Sequence, residues 1–333
     1  MTTAPLLELD NLSTHYVSAQ GTRVVRAVDE VSLRIHPGET LGIVGESGSG
    51  KSTLALTILR LLPPAARITG GEILFEGEDL RAKSDVEMRR IRGKRIAMIL
   101  QDPMASLNPL FTIGDQVAEP LRVHEGVGRA GSWSRAKDLL KAVRISAPES
   151  RVGEYPHQMS GGMRQRIVGA IAISCAPRLL IADEPTTSLD LTIQAQYLNL
   201  LRDLQQQHEL ALIFITHNLG IVAKMCDQVA VMYAGRLVEW GPVTRIFDAP
   251  AHPYTQALLG SIPRMGDGRE RLTAIEGQPP DLAAPPPGCA FHPRCPQVMA
   301  RCREQAPPET VLDARHTTRC WLSVPAPGPA TVR

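Results

Sequence analysis

The run Gly45-Glu-Ser-Gly-Ser-Gly50-Lys51-Ser52 constrains what this chain can fold into more tightly than its composition does. It fits G-x-x-x-x-G-K-[ST]. The short apolar run Thr40–Val44 precedes it, and a helical pattern predicted from Ser52 to Leu62 follows, stopped by Pro63-Pro64. Glycines at these positions let successive backbone N–H groups converge on a phosphate at the positive end of the following helix. Lys51 is long enough to reach β- and γ-phosphates, and the Ser52 hydroxyl can ligate Mg²⁺. The candidate nucleotide contacts are Gly45, Ser47, Gly48, Ser49, Gly50, Lys51, Ser52 and Thr53. Such a cradle needs a buried strand on one side and a helix on the other, so the chain is expected to be α/β.

The rest of the pattern agrees. Leu6–Leu12, Val24–Ile35 and Gly71–Phe75 alternate as antiparallel strands do, whereas Arg95–Leu100, Leu179–Ala182 and Ala211–Ile215 are apolar runs leading into polar turns. The last two have helical patterns between them, which predicts a parallel sheet with crossover helices. Residues 104–175 read as a helical insertion, with Ala136, Leu139, Leu140 and Val143 on one face. Val229–Tyr233, a turn at Ala234-Gly235, and Arg236–Trp240 read as a closing hairpin. Thirteen of the 27 prolines fall in the last 71 residues, placing a boundary near residue 262 between segments 1–262 and 263–333. No stretch approaches the length of a membrane span, and the N-terminus lacks the basic-then-apolar order of a signal peptide, so a cytosolic chain is expected. The net charge of +2 gives no argument for nucleic-acid binding.

Leu179-Leu-Ile-Ala-Asp183-Glu184 narrows the chemistry. Asp183, ending a buried strand, is placed to hold Mg²⁺, and Glu184 just beyond it can polarise an attacking water. Tyr155-Pro-His-Gln-Met-Ser160-Gly161-Gly162-Met-Arg-Gln-Arg166, shortly before that strand, resembles the signature motif of ABC ATPases. The resemblance runs from residue 5 to about 260 and implies a P-loop ATPase core carrying an antiparallel β subdomain and a helical subdomain. It also implies that Ser160, Gly161 and Gly162 close over nucleotide held by a second ABC ATPase subunit. By the same resemblance Gln101 senses Mg²⁺ and the attacking water, and Ser188-Leu189-Asp190 forms the loop that crosses the dimer interface. His217 in Ile-Thr-His-Asn contacts the γ-phosphate, and Tyr16 stacks on adenine. The signature reads Met-Ser-Gly-Gly-Met rather than Leu-Ser-Gly-Gly-Gln, and Ser188 stands where alanine is common.

Four of the six cysteines, Cys289, Cys295, Cys302 and Cys320, lie in the last 45 residues, while Cys175 and Cys226 have the apolar surroundings of core residues. Clustered cysteines in a cytosolic chain point to metal rather than to disulfides. Their gaps allow one ion or cluster but lack the short knuckles of common zinc sites. The tail, from His252-Pro-Tyr-Thr through Gly288-Cys289-Ala-Phe-His-Pro-Arg-Cys295-Pro, resembles the extension of oligopeptide/dipeptide importer ATPases, and the N-terminal half, notably Val44-Gly-Glu-Ser-Gly-Ser-Gly50, looks closer to the D-type than to the F-type subunit of that branch. That resemblance implies a [4Fe–4S] cluster on the four cysteines, stapling a proline-rich tail without a core of its own; zinc and unligated or disulfide-paired thiols are the alternatives. It further implies a heterodimer of ATPase subunits, two transmembrane permeases and an extracytoplasmic solute-binding protein, with the chain on the cytoplasmic face of a bacterial inner membrane. ATP and Mg²⁺ are the expected cofactors, and di- or oligopeptides the expected cargo. Nickel or another small solute, or a soluble ABC ATPase working on DNA or ribosomes, are the competing readings.

Overall fold

The computed structural model describes residues 4–187, 189–262 and 275–325; Ser188 of the expected interface loop and residues 263–274, just past the expected boundary, lie outside the described residues. The chain opens with β1 (Leu7–Val17), β2 (Val24–Ile35), β3 (Thr40–Val44), α1 (Lys51–Ile58), β4 (Ala66–Phe75), β5 (Glu78–Asp79), α2 (Asp85–Ile91) and β6 (Ile96–Ile99). Five helices follow: α3 (Pro103–Ser106), α4 (Ile113–Glu125), α5 (Arg129–Ala142), α6 (Pro148–Arg151) and α7 (Gly161–Ile173). Next come β7 (Leu179–Asp183), α8 (Leu191–His208), β8 (Ala211–Ile215), α9 (Leu219–Met225), β9 (Gln228–Tyr233), β10 (Arg236–Pro242), α10 (Val243–Asp248) and α11 (Pro253–Gly260). The tail adds α12 (Ala300–Glu304), β11 (Thr310–Asp313) and β12 (His316–Thr318).

Two sheets result. One is antiparallel, in the order β2-β1-β4-β5; the other runs β11-β12-β10-β9-β3-β8-β7-β6, and its stretch from β9 to β6 is parallel. Every residue of β3, β7 and β8 is buried, as expected of parallel strands covered on both faces. One apolar core fills the space between the antiparallel sheet, α1 and one face of the main sheet. A second lies on the other face and joins the helical layer to the tail. Cys175 and Cys226 are buried as core residues. The helical insertion is built as its pattern implies: Ala136, Leu140 and Val143 are fully buried, and Leu139 packs partly buried beside them.

Three details differ from the sequence reading. Strand β1 continues five residues past Leu12, because the polar run through Tyr16 pairs with both β2 and β4 across irregular registers near Asn11. Helix α1 ends at Ile58, short of the prolines. Arg60 there turns left-handed (φ 52°), and its guanidinium bonds the carbonyls of Leu80 and Lys83, so distant contacts end the helix. Third, the tail is built onto the main sheet. Strand β12 pairs with β10 (Glu239 opposite Thr318), β11 pairs with β12, and Phe291, 1% exposed, packs against Tyr233 and Tyr254.

Candidate nucleotide site

Strands β3, β6, β7 and β8 run parallel, so the residues at their carboxyl ends gather along one edge of the sheet, where α/β proteins place their ligand sites. The loop after β3 is shaped by glycine. Gly45, Gly48 and Gly50 have φ of 155°, 78° and 102°, and a Cβ on Gly50 would lie 2.0 Å from the Ala27 carbonyl oxygen. Helix α1 starts at Gly50 without a side-chain cap or an acidic residue in its first turn, which leaves its first amides for an anion.

Lys51 is buried, and its Nζ donates to the carbonyls of Gly45 (2.9 Å) and Glu46 (2.8 Å) and to Ser49 Oγ (3.3 Å). Burial lowers its pKa, against the raising influence of Glu184, Asp183 and Glu46. Ser47, Gly48 and Ser52 are exposed at the mouth of the loop. Tyr16 is part-buried beside the cradle, its hydroxyl 3.3 Å from Thr53 Oγ1.

Asp183 closes the floor. It is 4% exposed, burial raises its pKa while a hydrogen bond with Ser52 pulls it down, and its Oδ1 is buried with no hydrogen-bond partner among the described residues. A buried carboxylate oxygen without a donor, beside a hydroxyl and the end of a phosphate loop, fits a hard cation that takes oxygen ligands. Glu184 follows in a left-handed conformation (φ 46°), held by its own N–H to Ile215 O (2.9 Å). That turn aims its carboxylate at three side chains. Gln101 Nε2 donates to Oε2 (3.3 Å), Thr187 Oγ1 donates to Oε2 (2.9 Å), and His217 Nδ1 stands 3.3 Å from Oε1. Gln101, Glu184 and His217, which the sequence singled out separately, therefore meet at one point. Thr187 was missed; its position three residues after Glu184 was the available signal.

The signature segment lies on the helical layer. Ser160 caps α7 by accepting from Met163 N (3.4 Å), and a Cβ on Gly161 would meet no atom of the described residues within 4 Å, so this helix start is open among them. Gly162 does pack: a Cβ there would come within 2.7 Å of Ile193 Cγ2 at the start of α8. Asp190 caps α8, accepting from Thr192 N (3.1 Å) and Ile193 N (3.0 Å).

All six cysteines of the chain are free, and in the tail Cys289, Cys295, Cys302 and Cys320 line one small cavity with His292 and Trp321. Among the described residues no three His, Cys, Asp or Glu side chains stand at metal-holding spacing, so the expected iron–sulfur ligands are not drawn into a finished shell. Burial pushes the Cys289 thiol up to about 11 and raises those of Cys295 and Cys320.

A strand-loop-helix phosphate cradle and an Asp-Glu pair at the parallel edge of one sheet, with an open signature helix on the helical layer, define a P-loop ATPase of the ABC class. Comparison with known proteins agrees. Residues 28–187 match the ABC transporter family, and residues 238–302 match the oligopeptide/dipeptide transporter C-terminal region. The dipeptide transport ATP-binding protein of Bacillus subtilis is 49% identical over 318 residues, 95% of this chain and 94% of that one. The oligopeptide transport ATP-binding protein of the same organism is 50% identical over 322 residues, 96% of this chain and 89% of that one. Among solved structures, an ATP-binding cassette dimer in a post-hydrolysis state with ADP and Pi matches at a TM-score of 0.64 and 27% identity, over 71% of this chain and 98% of that one. The chain belongs to the ABC transporter ATP-binding proteins, in their oligopeptide/dipeptide branch, and is an ATPase subunit.

Proposed function

We propose that this chain powers the import of di- or oligopeptides as one of two ATPase subunits, most simply a heterodimer, beneath two permeases on the cytoplasmic face of a bacterial inner membrane. An extracytoplasmic binding protein delivers the cargo. The convergence of Gln101 and His217 on the Glu184 carboxylate, beside the phosphate loop, carries the catalytic part of the reading. The names of the relatives and the match of the tail support the cargo. No described helix is long and apolar enough to cross a membrane; this reading assigns the path for solute to the permeases.

In this account the amides of Gly48 to Thr53 bind the β- and γ-phosphates, Lys51 Nζ neutralises the developing charge, and Tyr16 supports adenine. Glu184 takes the proton of the attacking water, and His217 orients that carboxylate and meets the γ-phosphate. Ser52, Asp183 and Gln101 are the residues that would hold Mg²⁺, which when bound polarises the phosphate oxygens. Ser160, Gly161, Gly162 and the loop at Asp190 act on the nucleotide of the partner subunit; the open start of α7 supports that division.

A cavity of about 580 Å³ between β6 and the helical layer, lined among others by Leu61, Met98, Leu100, Val123 and Ile171, offers an apolar seat for a permease segment. Residues 1–262 form the ATPase proper and 263–333 the extension. The four tail cysteines hold a [4Fe–4S] cluster; their convergence on one cavity and their free state support this. Iron and sulfide in anaerobically purified chain test it, and a zinc-loaded or metal-free protein rejects it. Purification in mild detergent from native membranes tests the whole. Two multi-span permeases and a second P-loop subunit are expected, whereas recovery with DNA or ribosomes and no permease rejects the importer.

A further inference from the structure

The tail reaches the phosphate loop through the Arg294 side chain. Arg294 stands between Cys289 and Cys295, and its side chain is 4% exposed. All five of its N–H donors have acceptors. Nε donates to Glu276 O (3.0 Å), one terminal nitrogen to Glu46 Oε2 (2.7 Å) and Tyr233 Oη (3.3 Å), and the other to Glu46 Oε1 (3.0 Å) and Ile275 O (3.3 Å). The two bonds to Glu46 form a fork that only a planar guanidinium can make, and they set one loop against another over 248 residues of sequence.

Glu46 is the second residue of the phosphate loop, and it is held at three points. Its carboxylate belongs to Arg294, its N–H donates to Tyr254 Oη (2.9 Å), and its carbonyl accepts from Lys51 Nζ (2.8 Å). The loop has little stiffness of its own, since three of its glycines occupy positive φ. Its shape therefore depends on outside supports, and Arg294 is the support that comes from the cysteine-bearing segment.

We propose that Arg294 is a positioning residue for nucleotide binding: it clamps Glu46, and through it the docking of the cysteine-bearing tail sets the shape of the phosphate loop. The proposal rests on Gly45–Ser52 being the nucleotide loop. By linkage, nucleotide then tightens the tail as much as the tail tightens nucleotide. Arg294 touches no reacting atom; it acts only through Glu46.

The test is equilibrium titration of the full chain with a fluorescent ATP analogue and Mg²⁺, in wild type, Arg294→Lys, Glu46→Gln and the double variant. Lysine keeps the charge but cannot make the fork. Each single variant is expected to weaken binding about tenfold, and the double variant no more than the weaker single. In the assembled transporter the Arg294→Lys loss is expected in KM rather than in kcat. Unchanged affinity in Arg294→Lys together with a lowered melting temperature would show a merely structural role, and multiplying losses in the double variant would separate the two residues. Both outcomes overturn the proposal. A wild-type measurement guards against variants that do not fold: amide exchange at Cys289, whose N–H donates to Cys302 O (2.8 Å), is expected to slow at saturating ATP, and indifference to ATP also overturns it. Lys51→Ala tests the underlying reading separately. If it binds ATP like wild type, the loop assignment fails, and not the clamp alone.

Discussion

Replacing His316 by alanine is expected to loosen the tail from the ATPase core by a calculable amount. His316 on β12 and Glu239 on β10 face each other with 6% and 0% side-chain exposure, and Nε2 lies 2.8 Å from Oε1. The Glu239 carboxylate also accepts from Ala251 N (2.7 Å) and His252 N (2.9 Å). The substitution removes one of three donors from a carboxylate that water does not reach. A hydrogen bond to a charged group contributes about 1.5–3 kcal/mol, and stripping one partner from a buried pair costs about 3–5 kcal/mol. Because two backbone donors remain, we expect the overlap of these ranges, about 3 kcal/mol. At 1.4 kcal/mol per decade that is roughly a hundredfold rise in tail opening. The readout is amide exchange at Arg319, whose N–H donates to Val238 O (2.8 Å) across the β10–β12 seam. Protection there should fall while amides of β3 and β8 keep theirs, and His316→Gln, which retains a donor, should lose less. A fall below about fivefold, or equal loss in both variants, would refute the reasoning, since Glu239 would then be satisfied without His316.

Two other perturbations follow from the site. Asp183→Asn should raise the melting temperature of the nucleotide-free, Mg²⁺-free chain at pH 7 while removing turnover. Burial raises the Asp183 pKa above its unfolded value, so the carboxylate burdens the fold at neutral pH and is relieved as pH falls through the raised value. The advantage of asparagine should therefore shrink on acidification; a gain that persists at acid pH would assign it to packing. Ser160→Arg should spare ATP binding at this chain's own phosphate loop and cut hydrolysis at the partner's site by at least about a hundredfold. Single-turnover assays with one site disabled at a time distinguish the two, and loss confined to this chain's own site would overturn the cross-subunit reading.

Much of the site was legible because its signals are local. The phosphate loop, the Asp183-Glu184 pair and the Ser160 helix start are each specified within a dozen residues, and backbone geometry makes those residue types necessary there. The fold class was legible for the same reason, since the largely apolar β3, β7 and β8 alternate with helical periods. What escaped was set by long-range pairing. The polar second half of β1 becomes a strand only because β2 and β4 flank it, and β11 and β12 are too short and polar to announce themselves. Likewise nothing near Glu46 forecasts Arg294, and nothing near Glu239 forecasts His316. Composition marked the tail as proline-rich but could not show that Phe291 completes a core begun by Tyr233 and Tyr254.

The most direct test of the account is single-turnover ATP hydrolysis by the assembled complex carrying Glu184→Gln. The amide keeps the shape of the side chain that Gln101, Thr187 and His217 surround, but cannot take a proton from water. ATP binding should persist, hydrolysis at this site should fall by about a thousandfold or more, and the complex should accumulate with ATP trapped between its two subunits. Hydrolysis at an undiminished rate would remove Glu184 from the base role and contradict the reading of the site.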